Sequence, residues 1–200
     1  MNRPRHFSMI RGFHLADWIT LANGCSGTAA IFVVLEHLQA PQAVSLLWAA
    51  GLIALAFVFD VLDGRVARER HEHSPLGREL DSLADVISFG VAPATIAYAV
   101  GLDTIVDQIV LVYFVLCGLS RLARYNVTAE SLAGADGKVA YFEGTPIPTS
   151  ILPLTLLLAL YATDHLGAVA VGFVRGHLAV LLFAVSGSLM ISKTLHVPKP

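Results

Sequence analysis

Apolar residues in this chain come in long runs separated by short polar stretches. The first run extends from about Ile19 to Leu38, the second from Ala43 to about Arg65, the third from Leu76 to about Val100 and the fourth from about Ile105 to Tyr125. Two shorter runs follow, about Pro148 to Ala162 and about His177 to Ile191. A helix of about 20 apolar residues crosses the roughly 30 Å hydrocarbon of a bilayer, so the pattern predicts an all-α, polytopic membrane bundle of six transmembrane helices. Pro41 marks the turn between the first two runs, and Pro93 predicts a kink in the third. Pro146 and Pro148 head the fifth run, where proline is tolerated. The apolar stretch Gly167 to Phe173 is broken by Gly172 and followed by Arg175, which blurs the start of the last run.

Polar positions divide the chain further. Residues 1–17 mix Arg3, Arg5, His6, Arg11 and His14 with Phe7, Met9, Ile10, Phe13 and Leu15, a pattern expected of an amphipathic helix lying in the membrane interface. Trp18 stands where an interfacial anchor belongs. Residues 18–192 form the transmembrane domain and 193–200 a tail. Lys and Arg collect at the N-terminus, in the 65–75 loop, over 121–138 and in the tail, while the loops near 39–42 and 101–107 carry none. By the positive-inside rule both ends and these basic loops face the cytoplasm, in an inner (cytoplasmic) membrane. The loop 66–75 reads as solvated, its His71 and His73 included, and 128–144 reads as a second cytoplasmic loop.

Composition agrees with this class. The 200 residues are 56% hydrophobic and 14% charged, with a mean hydropathy of +0.69. The formal net charge of -2 gives no reason to expect a nucleic-acid partner. Cys25 and Cys117 both sit in apolar runs and read as inert thiols. No removable signal peptide is expected.

The chemistry-bearing stretch is 60–85. Asp60 and Asp63 are three apart at the end of the second run; Asp81 and Asp85 are four apart at the start of the third. On helices each pair projects from one face. An antiparallel pair of helices would bring the two faces together. Ala43 to Phe59 covers about 25 Å at 1.5 Å per residue, so Asp60 falls at head-group depth. Four charges in hydrocarbon would cost on the order of 10 kcal/mol on insertion scales, and like charges repel. Hard divalent cations with oxygen ligands, Mg²⁺, Mn²⁺ or Ca²⁺, offset that cost. Other runs carry polar groups of their own. Thr20 and Asn23 share a face of the first run, open to interhelical hydrogen bonds or to a nucleotide. Arg121 and Arg124 share a face of the fourth, suited to snorkelling or to binding a phosphate or carboxylate.

The pattern Asp60-x2-Asp63-Gly64-x2-Ala67-Arg68-x8-Gly77-x3-Asp81-x3-Asp85 fixes eight positions over 26 residues and resembles the signature of the CDP-alcohol phosphotransferase family. The resemblance implies transfer from a CDP-activated lipid to an alcohol with release of CMP. It implies that Asp60, Asp63 and Asp81 are metal ligands and Asp85 the general base, also touching a second ion. It implies Mg²⁺ or Mn²⁺ as cofactor, with Ca²⁺ an inhibitory occupant, and contacts to the CDP-lipid from Asn23, Asp60, Gly64, Ala67, Arg68 and Gly77. Family members often form homodimers. Ala16-Asp17 stand where related synthases begin the first span with Pro-Asn.

The stretches 88–93, 121–127 and 142–148 look like the branch that takes CDP-diacylglycerol and L-serine to phosphatidylserine. Thr145 and Ile147 depart from its usual Leu and Ser. On charge alone Arg121 or Arg124 would meet the serine carboxylate and Glu143 its ammonium. Inositol, inositol phosphate and glycerol phosphate are the alternative acceptors. Outside the family, an ion transporter using the membrane carboxylates stays open.

Overall fold

The computed structural model describes residues 13–70, 75–132, 141–171 and 174–198. Residues 1–12, and with them most of the expected interfacial helix, lie outside the described residues, as do His71 and His73.

Helix α1 (Leu15–Gln39) and helix α2 (Ala43–Arg70) form an antiparallel hairpin. The turn between them at Pro41 is tied by His37, whose Nδ1 lies 3.2 Å from the Gln42 N–H. The hairpin closes tightly because small residues line it. Ala30, Ala49 and Ala56 are fully buried, and close packing is what holds helices together where the surroundings are already apolar. The inward row of α2 reads Leu46, Ala49, Ile53, Ala56, then Asp60 and Asp63, each three or four residues after the last. One helical stripe is thus apolar through the hydrocarbon and acidic at its end.

Helix α3 (Pro75–Asp85) is followed without a break by a π-helical stretch, Val86–Val91, and by helix α4 (Ala92–Ala99). The sequence led us to expect a kink at Pro93. The structure places the irregularity one turn earlier, in the π-helical stretch, where the Ala92 N–H reaches back five residues to the Ile87 carbonyl. Helix α5 (Ile105–Leu132) packs on α7 (Leu181–Ile191), while α6 (Ile151–Ala162) follows a 3-10 turn at Ile147–Ser150. Phe89, Ile96, Phe114, Leu157 and Phe183 lie at the centre of the core.

Among the described residues, four helical stretches are long and apolar enough to cross a membrane: Leu15–Gln39, Ala43–Arg70, Pro75–Ala99 and Ile105–Val127. The chain is therefore read as an integral membrane protein. Ile147–Ala162 and Leu178–Ile191 are apolar but shorter.

Helix extends beyond the expected ends of the second and fourth runs, to Arg70 and Leu132, so part of each loop expected there is helical. The blurred stretch before the last run is a two-stranded hairpin, β2 (Ala168–Val171) with β3 (Val174–His177). Part of the tail also has a partner: β4 (His196–Pro198) pairs antiparallel with β1 (Tyr141–Glu143). Gly144, at φ +73°, makes the turn after β1 and abuts the end of α7. A Cβ there would lie 2.9 Å from the Leu189 carbonyl oxygen, which excludes any other residue.

Candidate active site at the end of the helical bundle

Helices α2 and α3 bring their acidic ends together. Ligand oxygens of Asp60, Asp63 and Asp81 lie within 4.8 Å of one another. Asp85, one turn further along, is buried and within hydrogen-bonding reach of Asp60. The antiparallel arrangement expected from the spacing is thus what forms, with three carboxylates converging and the fourth set back.

Helix α1 supplies the wall behind them. Thr20 Oγ1 donates to Asp63 Oδ2 at 2.6 Å, and Asn23 Nδ2 donates to Asp85 Oδ1 at 3.2 Å. Both polar residues singled out on the first run therefore face the carboxylates. Ser88 Oγ donates to the Asn23 carbonyl at 3.0 Å, locking the first turn of the π-helical stretch against α1. That lock needs Gly27, since a Cβ there would stand 2.6 Å from the Ser88 Cα. At the start of α1, the His14 N–H donates to Asp17 Oδ2 at 2.8 Å, so Asp17 is the N3 member of a capping box whose N-cap is His14. Trp18 is half exposed and stacks edge-on with Phe13, ring centres 5.7 Å apart.

The donor set fits a hard divalent cation. All three converging groups are carboxylates, and Asp81 Oδ1 is buried with no hydrogen-bond partner among the described residues. A buried acceptor left unsatisfied costs about 1–3 kcal/mol, more when charged, and a bound cation removes that cost. The cluster is compatible with metal binding; its geometry does not select an ion.

The other expected site residues fall around this centre. Gly64, half-buried, has open space beside it: a Cβ there would meet only the mobile end of Arg68, at 3.6 Å. Ala67 and Arg68 follow on α2, and Gly77 lies on the first turn of α3. Arg121 is buried on α5 in the field of Asp85, and its Nε has no hydrogen-bond partner among the described residues. Arg124 donates through Nη1 to the Ile191 carbonyl at 3.3 Å and so caps the end of α7. Glu143 lies on β1, its side chain outside the described residues. Asn126, which the sequence did not single out, joins α5 to α3 by donating to Ser82 at 3.0 Å and Glu79 at 3.3 Å.

The sequence profile of CDP-alcohol phosphatidyltransferases matches residues 13–189. The chain belongs to that family. It is 46% identical to the CDP-diacylglycerol–serine O-phosphatidyltransferase of Saccharomyces cerevisiae, across 98% of this chain and 74% of that protein. It is 37% identical to the enzyme of the same name from Mycobacterium leprae, over 80% of this chain and 51% of that one. With the archaetidylserine synthase of Methanothermobacter thermautotrophicus it shares 35% identity, over 85% of this chain and 67% of that protein. This chain spans about half the length of the mycobacterial relative. In this family member the eight signature residues occupy the facing ends of α2 and α3, and α1 supports them.

Proposed function

We propose that this chain transfers the phosphatidyl group of CDP-diacylglycerol to the hydroxyl of L-serine, giving phosphatidylserine and CMP. The observation that carries this reading is the convergence of Asp60, Asp63 and Asp81 at the end of an apolar helix pair, with a buried Asp81 oxygen that has no partner among the described residues. The similar proteins named above differ in lipid but share serine in their names, which favours serine over inositol or glycerol phosphate.

In this mechanism Asp60, Asp63 and Asp81 hold Mg²⁺ or Mn²⁺. When bound, such ions neutralise the diphosphate and polarise the bond to be broken. Gly64, Ala67, Arg68 and Gly77 line the nucleotide's approach, and the open space at Gly64 supports that reading. The serine oxygen attacks the phosphorus that bears the diacylglycerol. The bond from that phosphorus to the CMP oxygen breaks, and the serine proton passes to Asp85, whose orientation the Asn23 amide fixes. Arg121 receives the serine carboxylate, consistent with its unpartnered Nε, and Glu143 the ammonium. Arg124 has the weaker claim because it already caps α7.

The two shorter apolar helices complete a six-span bundle with both termini and the carboxylates on the cytoplasmic side of the inner membrane, and residues 1–17 lie along its surface. The enzyme works as a homodimer. Incubation of the purified protein with CDP-diacylglycerol, Mn²⁺ or Mg²⁺ and labelled L-serine, inositol or glycerol 3-phosphate tests the reading. Metal-dependent CMP release with serine alone is expected. Release with another acceptor but not serine moves the chain to another branch, and release with none would leave a transporter as the better account.

A further inference from the structure

The segment after β1 is pinned through its backbone. The Gly144 N–H donates to the Leu195 carbonyl at 2.8 Å, and the Thr145 N–H to the Leu189 carbonyl at 3.2 Å. The Pro146 carbonyl accepts from the Thr149 N–H at 3.1 Å and from the Thr149 hydroxyl at 2.7 Å, which closes the 3-10 turn. Ile147 opens that turn and is 1% exposed. Its Cδ1 fills a notch between two glycines. A Cβ on Gly118 of α5 would stand 2.7 Å from it, and a Cβ on Gly90 of the π-helical stretch 3.8 Å from it. So close an approach to α5 requires glycine at 118. The Met190 sulfur, 3.9 Å from the same Gly118 position, closes the notch from α7. Gly118 precedes Arg121 by three residues, on the same face of α5 and about 4.5 Å further into the bundle. Gly90 follows Asp85 by about one turn, also further in. The notch therefore lies one layer beneath Asp85 and Arg121.

We propose that Ile147 is the floor of the acceptor pocket and sets the length of the amino alcohol that the site accepts. The proposal rests on the serine-transfer reading above, in which the acceptor spans Asp85 and Arg121 with its hydroxyl at the first and its carboxylate at the second. An acceptor one methylene longer, held at both ends, must bow. The phosphorus under attack occupies one side, so the extra carbon is driven toward the floor, where it meets Ile147 Cδ1. A misfit of one methylene in an apolar pocket is discriminated by about 10- to 200-fold. The branch that the sequence resembles more often carries Ser at this position, so the floor belongs to this chain rather than to the signature. An Ile147 that only filled the core would act on every acceptor alike.

Ile147→Val removes Cδ1 and nothing else, so it opens room for one carbon. The measurement is CMP release by the purified protein with CDP-diacylglycerol and Mn²⁺, with L-serine or L-homoserine as acceptor, and the readout is the ratio of the two kcat/KM values. The wild type should favour serine by at least about tenfold, and Ile147→Val should shift the ratio toward homoserine by about tenfold. A second variant refills the gap from the opposite helix. In Gly118→Ala/Ile147→Val the new methyl takes the place of Cδ1, and the nearest remaining atom of residue 147 is Cγ1, 3.4 Å away. Its ratio should return to within about threefold of the wild type. A wild type that does not discriminate, an Ile147→Val ratio unchanged, or a shift that the refilling methyl fails to reverse each overturns the proposal while serine turnover leaves the transfer reading standing. Were the wild type to use another alcohol in place of serine, the serine reading would fail and the floor would be tested on that alcohol and its one-carbon-longer analogue. No CMP release with any acceptor overturns the transfer reading and the floor with it.

Discussion

Both ends of the bundle bury carboxylates, yet Asp107 and the 60–85 cluster are treated in opposite ways. Asp107 is wholly buried at the start of α5. Its Oδ2 accepts from the Thr104 hydroxyl at 2.7 Å and the Thr104 N–H at 3.2 Å, and lies 2.7 Å from His177 Nδ1. Its Oδ1 accepts from the His177 N–H at 3.0 Å. Every oxygen is used, and the result is a joint that fastens β3 to α5. At the other end Asp63 and Asp85 have one side-chain donor each from α1, and one Asp81 oxygen has none among the described residues. The protein satisfies its structural carboxylate and leaves its cluster incomplete. Burial and residue type are shared; what separates a joint from a reaction centre is whether the fold supplies the donors.

That contrast can be broken by mutation, starting with the largest effect. Asp81→Ala should lower serine-dependent CMP release by at least about 10³-fold while leaving the thermal unfolding midpoint in detergent unchanged or raised, since a repelling and unsatisfied group is removed. A clear loss of stability would make Asp81 a structural residue after all. Chelation with EDTA should abolish turnover in the wild type, and added Mn²⁺ or Mg²⁺ should restore it. Asp85→Asn should cut turnover by roughly 10²–10⁴-fold, the range for loss of a general base, with CDP-lipid binding largely intact. Binding lost as severely as in Asp60→Asn would count against that role. Asn23→Ala withdraws a hydrogen bond to a charged group and should cost roughly 10- to 100-fold in kcat, with little change in KM for the CDP-lipid. Asp107→Ala marks the other pole. CMP release per folded molecule should stay within about twofold, while stability falls by about 2–3 kcal/mol as the Thr104 and His177 donors lose their acceptor.

The cluster could be read from the chain because its ingredients are local. Each acidic pair sits at helical spacing within one run, and the loop between the pairs is too short to do anything but turn the chain back. The four long spans were legible for the same reason, since an apolar run of 20 residues has few other uses. The Asp107 joint was not read, although Thr104-x2-Asp107 is itself a capping pattern, because its third member, His177, lies 70 residues further on. The β1–β4 pairing is hidden likewise: three-residue strands carry little pattern, and their partner is remote. In the β2–β3 hairpin, alternating Ala and Val cannot be told from the flank of an apolar helix. Nothing in Val86–Val91 announces a π-helical coil.

The stripe on α2 that runs from Leu46 to Asp63 makes the length of that helix a ruler. Inserting a single residue after Ala56 would swing Asp60 and Asp63 by about 100° around the axis, out of reach of Asp81, without changing one amino acid of the motif. An insertion of seven would return them to nearly the same bearing but lift them about 10 Å away from their partners. Drift in the size of this span is therefore closed to the lineage by rotation for small steps and by height for larger ones.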